Sequence, residues 1–109
     1  MTTAAIILEQ LGGNKFVVTT GSHHFVSDGD TLRMQLRRNR SRANRLFITL
    51  NRESDTYTMR FFYYRAGRID IKNGRYIEEV EREITQYAGV YAEDLRRFFE
   101  DVTGLATHL

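Results

Sequence analysis

The 109-residue sequence contains no cysteine, no proline and no tryptophan. Without cysteine the chain can form no disulfide, thiolate nucleophile, zinc ribbon or iron–sulfur cluster, and the lack of thiols fits a reducing compartment. No apolar run approaches the roughly 20 residues that a membrane-spanning helix needs. The first residues lack the basic segment and the long apolar stretch of a secretory signal. These absences predict a cytoplasmic protein that makes no membrane contact.

The composition is otherwise that of a folded domain. Hydrophobic residues make up 41% of the chain and charged residues 28%, which is typical of globular proteins. A chain of this length corresponds to one domain of roughly 100–150 residues and is too short for two independent cores. We therefore predict a single domain over residues 1–109.

Charge is unevenly distributed along the chain, although the net charge is only +2. Residues 31–75 carry eleven Arg and one Lys against three acids, a net charge of +9, whereas residues 1–30 carry −2 and residues 76–109 carry −5. Arg accounts for 14 of the 16 basic residues, and its planar guanidinium binds phosphate or carboxylate through paired donors. Two explanations stay open: the middle segment binds an external anion, or it pairs with the chain's own acidic run at 78–83.

Two helices are predicted near the ends of the chain. Thr2 or Thr3 can cap a helix over residues 4–11, which Gly12-Gly13 would end. The second helix has an apolar stripe at spacing i, i+3, i+4 and i+7 formed by Leu95, Phe98, Phe99 and Val102. Gly104 is expected to end this helix.

Alternating apolar and polar residues predict three central strands. Their apolar positions are Leu32, Met34 and Leu36, then Leu46, Ile48 and Leu50, then Tyr57, Met59, Phe61 and Tyr63. Turns are predicted at 27–30 and 51–55, and a basic loop at 38–44. The β-branched and aromatic residues at 16–20 predict an earlier strand.

Asn73-Gly74 is typical of a hairpin turn and predicts that a strand at 69–71 returns over 75–77. Residues 78–87 fit helical and strand spacing, and an extended segment is favoured. The chain therefore has the pattern of an α+β fold: an antiparallel meander of four to six strands, a short N-terminal helix and a C-terminal amphipathic helix. Both helices are expected on one face of the sheet. The opposite face is expected to carry Arg33, Arg37, Phe47, Arg60, Phe62 and Tyr64.

No combination of residues predicts catalysis. Adjacent residues of a strand point to opposite faces, so His23 and His24 could share a metal ion only in a loop; with His108 they are interpreted as polar loop residues. The sequence has no HExxH motif, no GxSxG nucleophile elbow and no GxxxxGK[ST] phosphate loop. We therefore predict a non-enzymatic protein without a metal, a cofactor or a small-molecule substrate.

Basic and aromatic residues on neighbouring strands favour binding to nucleic acid or to a nucleoprotein. Guanidinium groups bind phosphates, and aromatic rings stack on unpaired bases. The predicted binding residues are Arg33, Arg37, Arg38, Arg40, Arg42, Arg45, Arg60, Phe62 and Tyr64. The alternative is a protein–protein contact or a homodimer, because Arg, Tyr, Phe and Met are also enriched in protein interfaces and the two charged segments are complementary.

Short motifs at both ends resemble a group of small proteins carried by phages, prophages and other mobile elements. These motifs are the run from Leu8 to Phe16 (LEQLGGNKF), Thr20-Gly21, the run from Gly89 to Ala92 (GVYA), and Leu95, Phe98, Phe99, Thr103-Gly104-Leu105 and Leu109. The resemblance implies a phage accessory protein acting in the bacterial host cytoplasm, in the class that includes anti-CRISPR inhibitors of host defence. Many relatives have Ala-Lys-Asn where this chain has Ser22-His23-His24, which argues against a shared histidine site.

Overall fold

The computed structural model describes residues 2–107. In chain order the elements are α1 (Thr3–Leu11), α2 (Asn14–Thr20), β1 (His23–Asp28), β2 (Thr31–Gln35), β3 (Arg45–Asn51), β4 (Thr56–Arg65), β5 (Arg68–Asp70), β6 (Arg75–Ile77), β7 (Val80–Val90), a 3₁₀ turn (Ala92–Asp94) and α3 (Leu95–Thr103). A five-stranded antiparallel sheet has the order β1-β2-β3-β4-β7, and β5 pairs with β6 as a separate hairpin. The predicted α+β class is confirmed.

The terminal helices begin and end where the sequence predicts. The Thr2 hydroxyl accepts a hydrogen bond from the Ala5 N–H at 3.1 Å, and Gly12 follows α1 with a φ of 128°. Gly104 ends α3 with a φ of 74°, a backbone conformation that favours glycine. His108 and Leu109 lie outside the described residues.

The strand predicted at 16–20 is wrong, because these residues form α2. Phe16 and Thr20 are four positions apart and are both fully buried, so helical spacing places them on one face against the core. The Thr20 hydroxyl donates to the Phe16 carbonyl oxygen at 2.6 Å, which satisfies its buried polar group within the helix. Burial of this face outweighs the strand preference of the β-branched residues.

One face of the sheet forms the core with the helices. The alternating side chains of β2, β3 and β4 are buried there, as their period of two predicts. Phe99 of α3 packs against Phe16 of α2 with ring centroids 4.9 Å apart, and against Phe61 of β4 at 6.5 Å. The fully buried large residues are Ile7, Leu11, Phe16, Met34, Leu46, Ile48, Met59, Phe61, Leu95 and Phe99.

The predicted hairpin and the favoured strand at 78–87 are both confirmed. Asp70 pairs with Arg75 across the hairpin, and its turn covers residues 71–74. Strand β7 begins at Val80 and pairs with β4 along its length. Along the chain, the hairpin is therefore an insertion between β4 and β7, which pair directly with each other in the main sheet.

The prediction that His23 and His24 are loop residues is wrong, because they begin edge strand β1. The β1–β2 register shifts between His23 and Val26, and His24 has a φ of 53°. This irregularity places the two adjacent imidazole rings 4.9 Å apart instead of on opposite faces. Within residues 2–107, no group of three or more His, Cys, Asp and Glu side chains is arranged to hold a metal ion.

Candidate functional site

The basic loop at residues 36–44 is organised by the side chain of Asn39. Its amide nitrogen donates to the carbonyl oxygens of Arg37 and Ala43, each at 2.8 Å. Its amide oxygen accepts hydrogen bonds from the backbone N–H and the hydroxyl of Ser41. The Arg42 N–H also donates to the Asn39 carbonyl oxygen at 3.2 Å, and Arg42 has a φ of 68°. The loop is therefore a defined structure rather than an open chain.

Asn44 joins this loop to the main sheet. Its side-chain amide donates to the Tyr64 carbonyl oxygen and accepts from the Tyr64 N–H, both at 2.8 Å. Its backbone carbonyl accepts from the Leu36 N–H at 2.9 Å, which closes the loop at its base. The arginines that the loop carries are thus fixed relative to β4.

The four arginines of the loop divide into two kinds. The Arg40 guanidinium donates to the carbonyl oxygen of Asp101 in the last turn of α3, so this side chain has a partner inside the protein. Within residues 2–107, the side chains of Arg37, Arg38 and Arg42 make neither a hydrogen bond nor an ion pair. No acid lies between residues 36 and 44. Among the residues that the structure describes, these three loop charges have no counter-charge.

The sheet face away from the helices carries the other predicted arginines. A groove of about 360 Å³ on this face is lined in part by His24, Arg33, Arg45, Phe47, Phe62 and Tyr64. A guanidinium lies over three rings of this face: Arg33 over Phe47 at 4.9 Å, Arg45 over Tyr64 at 5.5 Å, and Arg60 over Phe62 at 5.6 Å. Arginine and aromatic residues are therefore stacked on each other here.

Internal carboxylates neutralise part of this face. Arg33 forms an ion pair with Asp28, and the Arg60 Nε lies 3.3 Å from the Glu83 Oε1. Glu83 belongs to the acidic run at 78–83, so the self-pairing explanation holds for Arg60. Both pairs are solvent-exposed, and exposed pairs contribute at most about 1 kcal/mol to stability.

Tyr64 lies beside further residues of the acidic run. Its hydroxyl donates to the Glu79 Oε2 at 3.2 Å. This hydrogen bond and the Glu79 charge raise the pKa of the Tyr64 phenol, and the charge of Arg45 opposes them. Arg45 also donates to the Asn44 carbonyl oxygen at 3.2 Å, and within residues 2–107 it has no carboxylate partner. Arg45 and Tyr64 therefore connect the groove to the loop.

Two predicted positions need correction. Phe62 is only 5% exposed and packs edge-on against Phe47 at 4.8 Å, so its ring has no free face for a base. Arg37 follows the end of β2 and lies beside Gly21, where an added Cβ would come within 2.8 Å of its Cδ. Arg37 therefore belongs to the loop and not to the open sheet face. The nine predicted residues form two neighbouring groups, the loop and the groove.

The strand pairing collects opposite charges at opposite ends of the sheet. The loop at 36–44 and the segment 65–79 leave the same end, because Gln35 pairs with Arg45 and Arg65 pairs with Val80. This basic end, residues 36–44 and 65–79, contains eight basic and three acidic residues. The acidic end, residues 28–30, 51–56 and 90–94, contains six acidic residues and one Arg.

At the acidic end the single arginine is paired internally. Arg52 Nη2 lies 2.7 Å from Asp30 Oδ1, and the hydrogen bond from Arg52 lowers the pKa of the Asp30 carboxyl. Asp30 also accepts from the Thr3 hydroxyl at 3.2 Å, which connects this end to α1. Within the described part of the chain, the partnerless arginines Arg37, Arg38 and Arg42 lie at the other end.

Asn39, Asn44 and the hairpin residues were not among the predicted site residues. The local signal for the asparagines is their position at the middle and the end of a segment without periodic apolar residues. Their hydrogen-bond partners include the distant backbone of Tyr64, which the local sequence does not reveal. The hairpin charges were counted in the basic middle segment, but only the topology places them beside the loop.

Comparisons with family models, with curated proteins and with solved structures returned no match to this chain. Within residues 2–107, no helix is both long enough and apolar enough to cross a membrane. The function of this protein is therefore inferred from the geometry of the site.

Proposed function

We propose that this protein is a non-enzymatic binder of nucleic acid, free or within a nucleoprotein complex, and that the basic end of its sheet makes the contact. The carrying observation is that Arg37, Arg38 and Arg42 have no side-chain partner within residues 2–107, although hydrogen bonds of Asn39 and Asn44 order the loop that bears them. Like charges held together repel each other, and a polyanion removes that repulsion. Phosphates of a nucleic-acid backbone supply such charges at regular spacing.

The groove supplies a second, weaker argument. Guanidinium planes such as that of Arg45 can stack on bases as well as bind phosphates, and Tyr64 stands beside it. Because Phe62 is buried, we assign the stacking role predicted for it to these two partly exposed side chains. The loop is expected to provide affinity, and the groove to orient the bound strand.

The direct test is a titration of labelled single-stranded and duplex oligonucleotides at about 50 and 200 mM salt. Wild type is expected to bind, and Arg38→Glu with Arg42→Glu is expected to weaken binding about 10- to 100-fold without changing the melting temperature. The matched control is Lys15→Glu with Arg96→Glu, which makes the same charge change at two exposed residues outside the basic end. Absence of wild-type binding at about 50 mM salt, or an equal loss in the control, would contradict the proposal.

A second candidate function is self-association, and the separation of charge favours it. The basic end has a net charge of +5 and the acidic end a net charge of −5, so two copies attract each other end to end. Sedimentation at about 50 and 500 mM salt distinguishes this candidate. A salt-sensitive dimer or longer assembly would support it, and a monomer at both salt concentrations would remove it.

The resemblance to proteins of mobile elements suggests the setting of this binding: a phage accessory or counter-defence role in the host cytoplasm. Pull-down from infected cells, with and without nuclease, tests it. A host partner lost after nuclease treatment supports a nucleoprotein target, and one retained after nuclease treatment supports direct protein inhibition.

A further inference from the structure

The β5–β6 hairpin lies outside the main sheet and exposes apolar side chains near its tip. Its strands pair with each other and not with the five-stranded sheet. Ile69 is 72% exposed, Ile71 is 90% exposed and Tyr76 is 65% exposed. Ile69 and Tyr76 are register partners, so their side chains share one face of the two-stranded ribbon. None of these three residues belongs to the hydrophobic core of the described residues.

The hairpin is ordered although little of it is buried. The Asp70 carboxylate accepts hydrogen bonds from the backbone N–H groups of Lys72 and Asn73 and from the Asn73 side chain, at 2.8 to 3.3 Å. At the base, a Cβ on Gly67 would collide with the Tyr76 hydroxyl, so this ring lies directly against the backbone. Both the turn and the base of the ribbon therefore have a defined structure before any ligand binds.

The charges of the hairpin indicate a polyanion as its partner. Within residues 65–75, one acidic residue, Asp70, is outnumbered by four basic residues: Arg65, Arg68, Lys72 and Arg75. This segment leaves the same end of the sheet as the loop at 36–44. An apolar protein surface would leave these cations without a counter-charge. Nucleic acid satisfies them through its phosphates and offers thymine methyl groups to the isoleucines.

We propose that the β5–β6 hairpin enters the major groove of B-form DNA, with Ile69 and Ile71 against base edges and Lys72 and Arg75 at the phosphates. This inference rests on the proposed function and narrows its ligand to duplex DNA. The major groove of B-DNA is about 12 Å wide and admits a two-stranded β-ribbon. The major groove of an RNA duplex is deep and narrow, and it excludes such a ribbon. The loop arginines contact the adjoining backbone in either duplex.

The test compares binding to a DNA duplex, an RNA duplex of the same sequence, and the single strands. Wild type is expected to bind the DNA duplex about tenfold more tightly than the RNA duplex. Ile71→Ser, and separately Lys72→Ser with Arg75→Ser, should remove most of this preference while changing RNA affinity about twofold or less. Val18→Ser is the matched control, because Val18 is also an exposed apolar residue, at 78%, but lies on α2. It should bind as wild type does.

Methylation of guanine N7 gives an independent readout, since this atom faces the major groove. Wild type should protect N7 in the bound duplex, and both hairpin variants should lose that protection even where they remain bound. If wild type binds DNA but the hairpin variants keep its affinity and its N7 protection, the hairpin proposal is wrong and the loop proposal stands. Equal wild-type affinity for DNA, RNA and single strands also overturns the hairpin proposal. If wild type binds no nucleic acid, both proposals fail.

Discussion

The side chain of Asn44 pairs with the backbone of Tyr64 through two hydrogen bonds of 2.8 Å, as a neighbouring strand would. This pairing begins one residue before β3 and continues the β3–β4 contact into the basic loop. The position of the arginines therefore depends on an uncharged side chain that no ligand needs to touch. A mutation of Asn44 can therefore disturb the order of the basic loop without changing the charge of the loop.

We expect Asn44→Ala to lower the free energy of unfolding by about 1–3 kcal/mol, because it leaves two partly buried backbone groups of Tyr64 without their partner. Nucleic-acid affinity should also fall, although the net charge is unchanged. Urea denaturation measures the first effect, and amide exchange at Leu36, whose N–H bonds the Asn44 carbonyl, reports opening of the loop. Asn14→Ala, at an exposed residue of α2, is the control. Unchanged exchange at Leu36 would show that the Asn44 side chain does not order the loop.

Arg40 and Arg38 are two residues apart but should respond differently to alanine. Arg40 reaches the end of α3, where a cation interacts favourably with the helix dipole, so Arg40→Ala should cost about 1 kcal/mol of stability. Arg38→Ala should leave stability unchanged and weaken only binding, because its side chain contacts no acceptor within residues 2–107. Thermal melting and oligonucleotide titration of both variants separate the roles. A destabilised Arg38 variant would contradict this division.

The central strands could be predicted because their signal is local. Alternation of Leu32, Arg33 and Met34 is sufficient to tell which face of β2 is buried, without knowledge of any other strand. The same holds for α3, whose apolar stripe and final Gly104 are read within one segment. The α+β class follows from such segments together.

The interior of the site could not be predicted because its contacts depend on register and topology. Arg60 meets Glu83 only because β4 pairs with β7, and Asn44 reaches Tyr64 only because the loop folds back on β4. The strand prediction for Phe16–Thr20 is wrong for a related reason. These residues prefer strands, but a helix is formed because it buries Phe16 against the distant Phe99.

Two adjacent phenylalanines in α3 should differ strongly in their contribution to stability. Phe99 is fully buried against Phe16 and Phe61, so Phe99→Ala should cost about 3–5 kcal/mol. Phe98 is half-buried and packs on Tyr87 at 4.9 Å, so Phe98→Ala should cost roughly 1–2 kcal/mol. Urea denaturation of the two variants measures the difference. Equal costs would mean that α3 is rotated relative to the sheet.

Tyr57 should make stability sensitive to alkaline pH. Burial raises the pKa of its phenol above the ordinary value of 10.0, and its hydroxyl donates a hydrogen bond to the Gln10 Oε1 at 2.8 Å. Because the folded state favours the neutral phenol, the unfolded chain loses this proton first as the pH rises. The resulting stabilisation is fully present below pH 10 and is lost as the pH rises through the raised pKa.

The matched variant is Tyr57→Phe, which keeps the ring and removes the titrating group. At pH 7 it should cost about 0.5–1.5 kcal/mol, the net worth of one hydrogen bond. Between pH 9 and pH 11 the wild type should lose more stability than the variant, so that their urea midpoints converge. All other residues are the same in both proteins, so their contributions cancel in the comparison. Parallel curves over this range would show that the Tyr57 hydroxyl is not buried against α1, and the placement of that helix across the end of β4 would have to change.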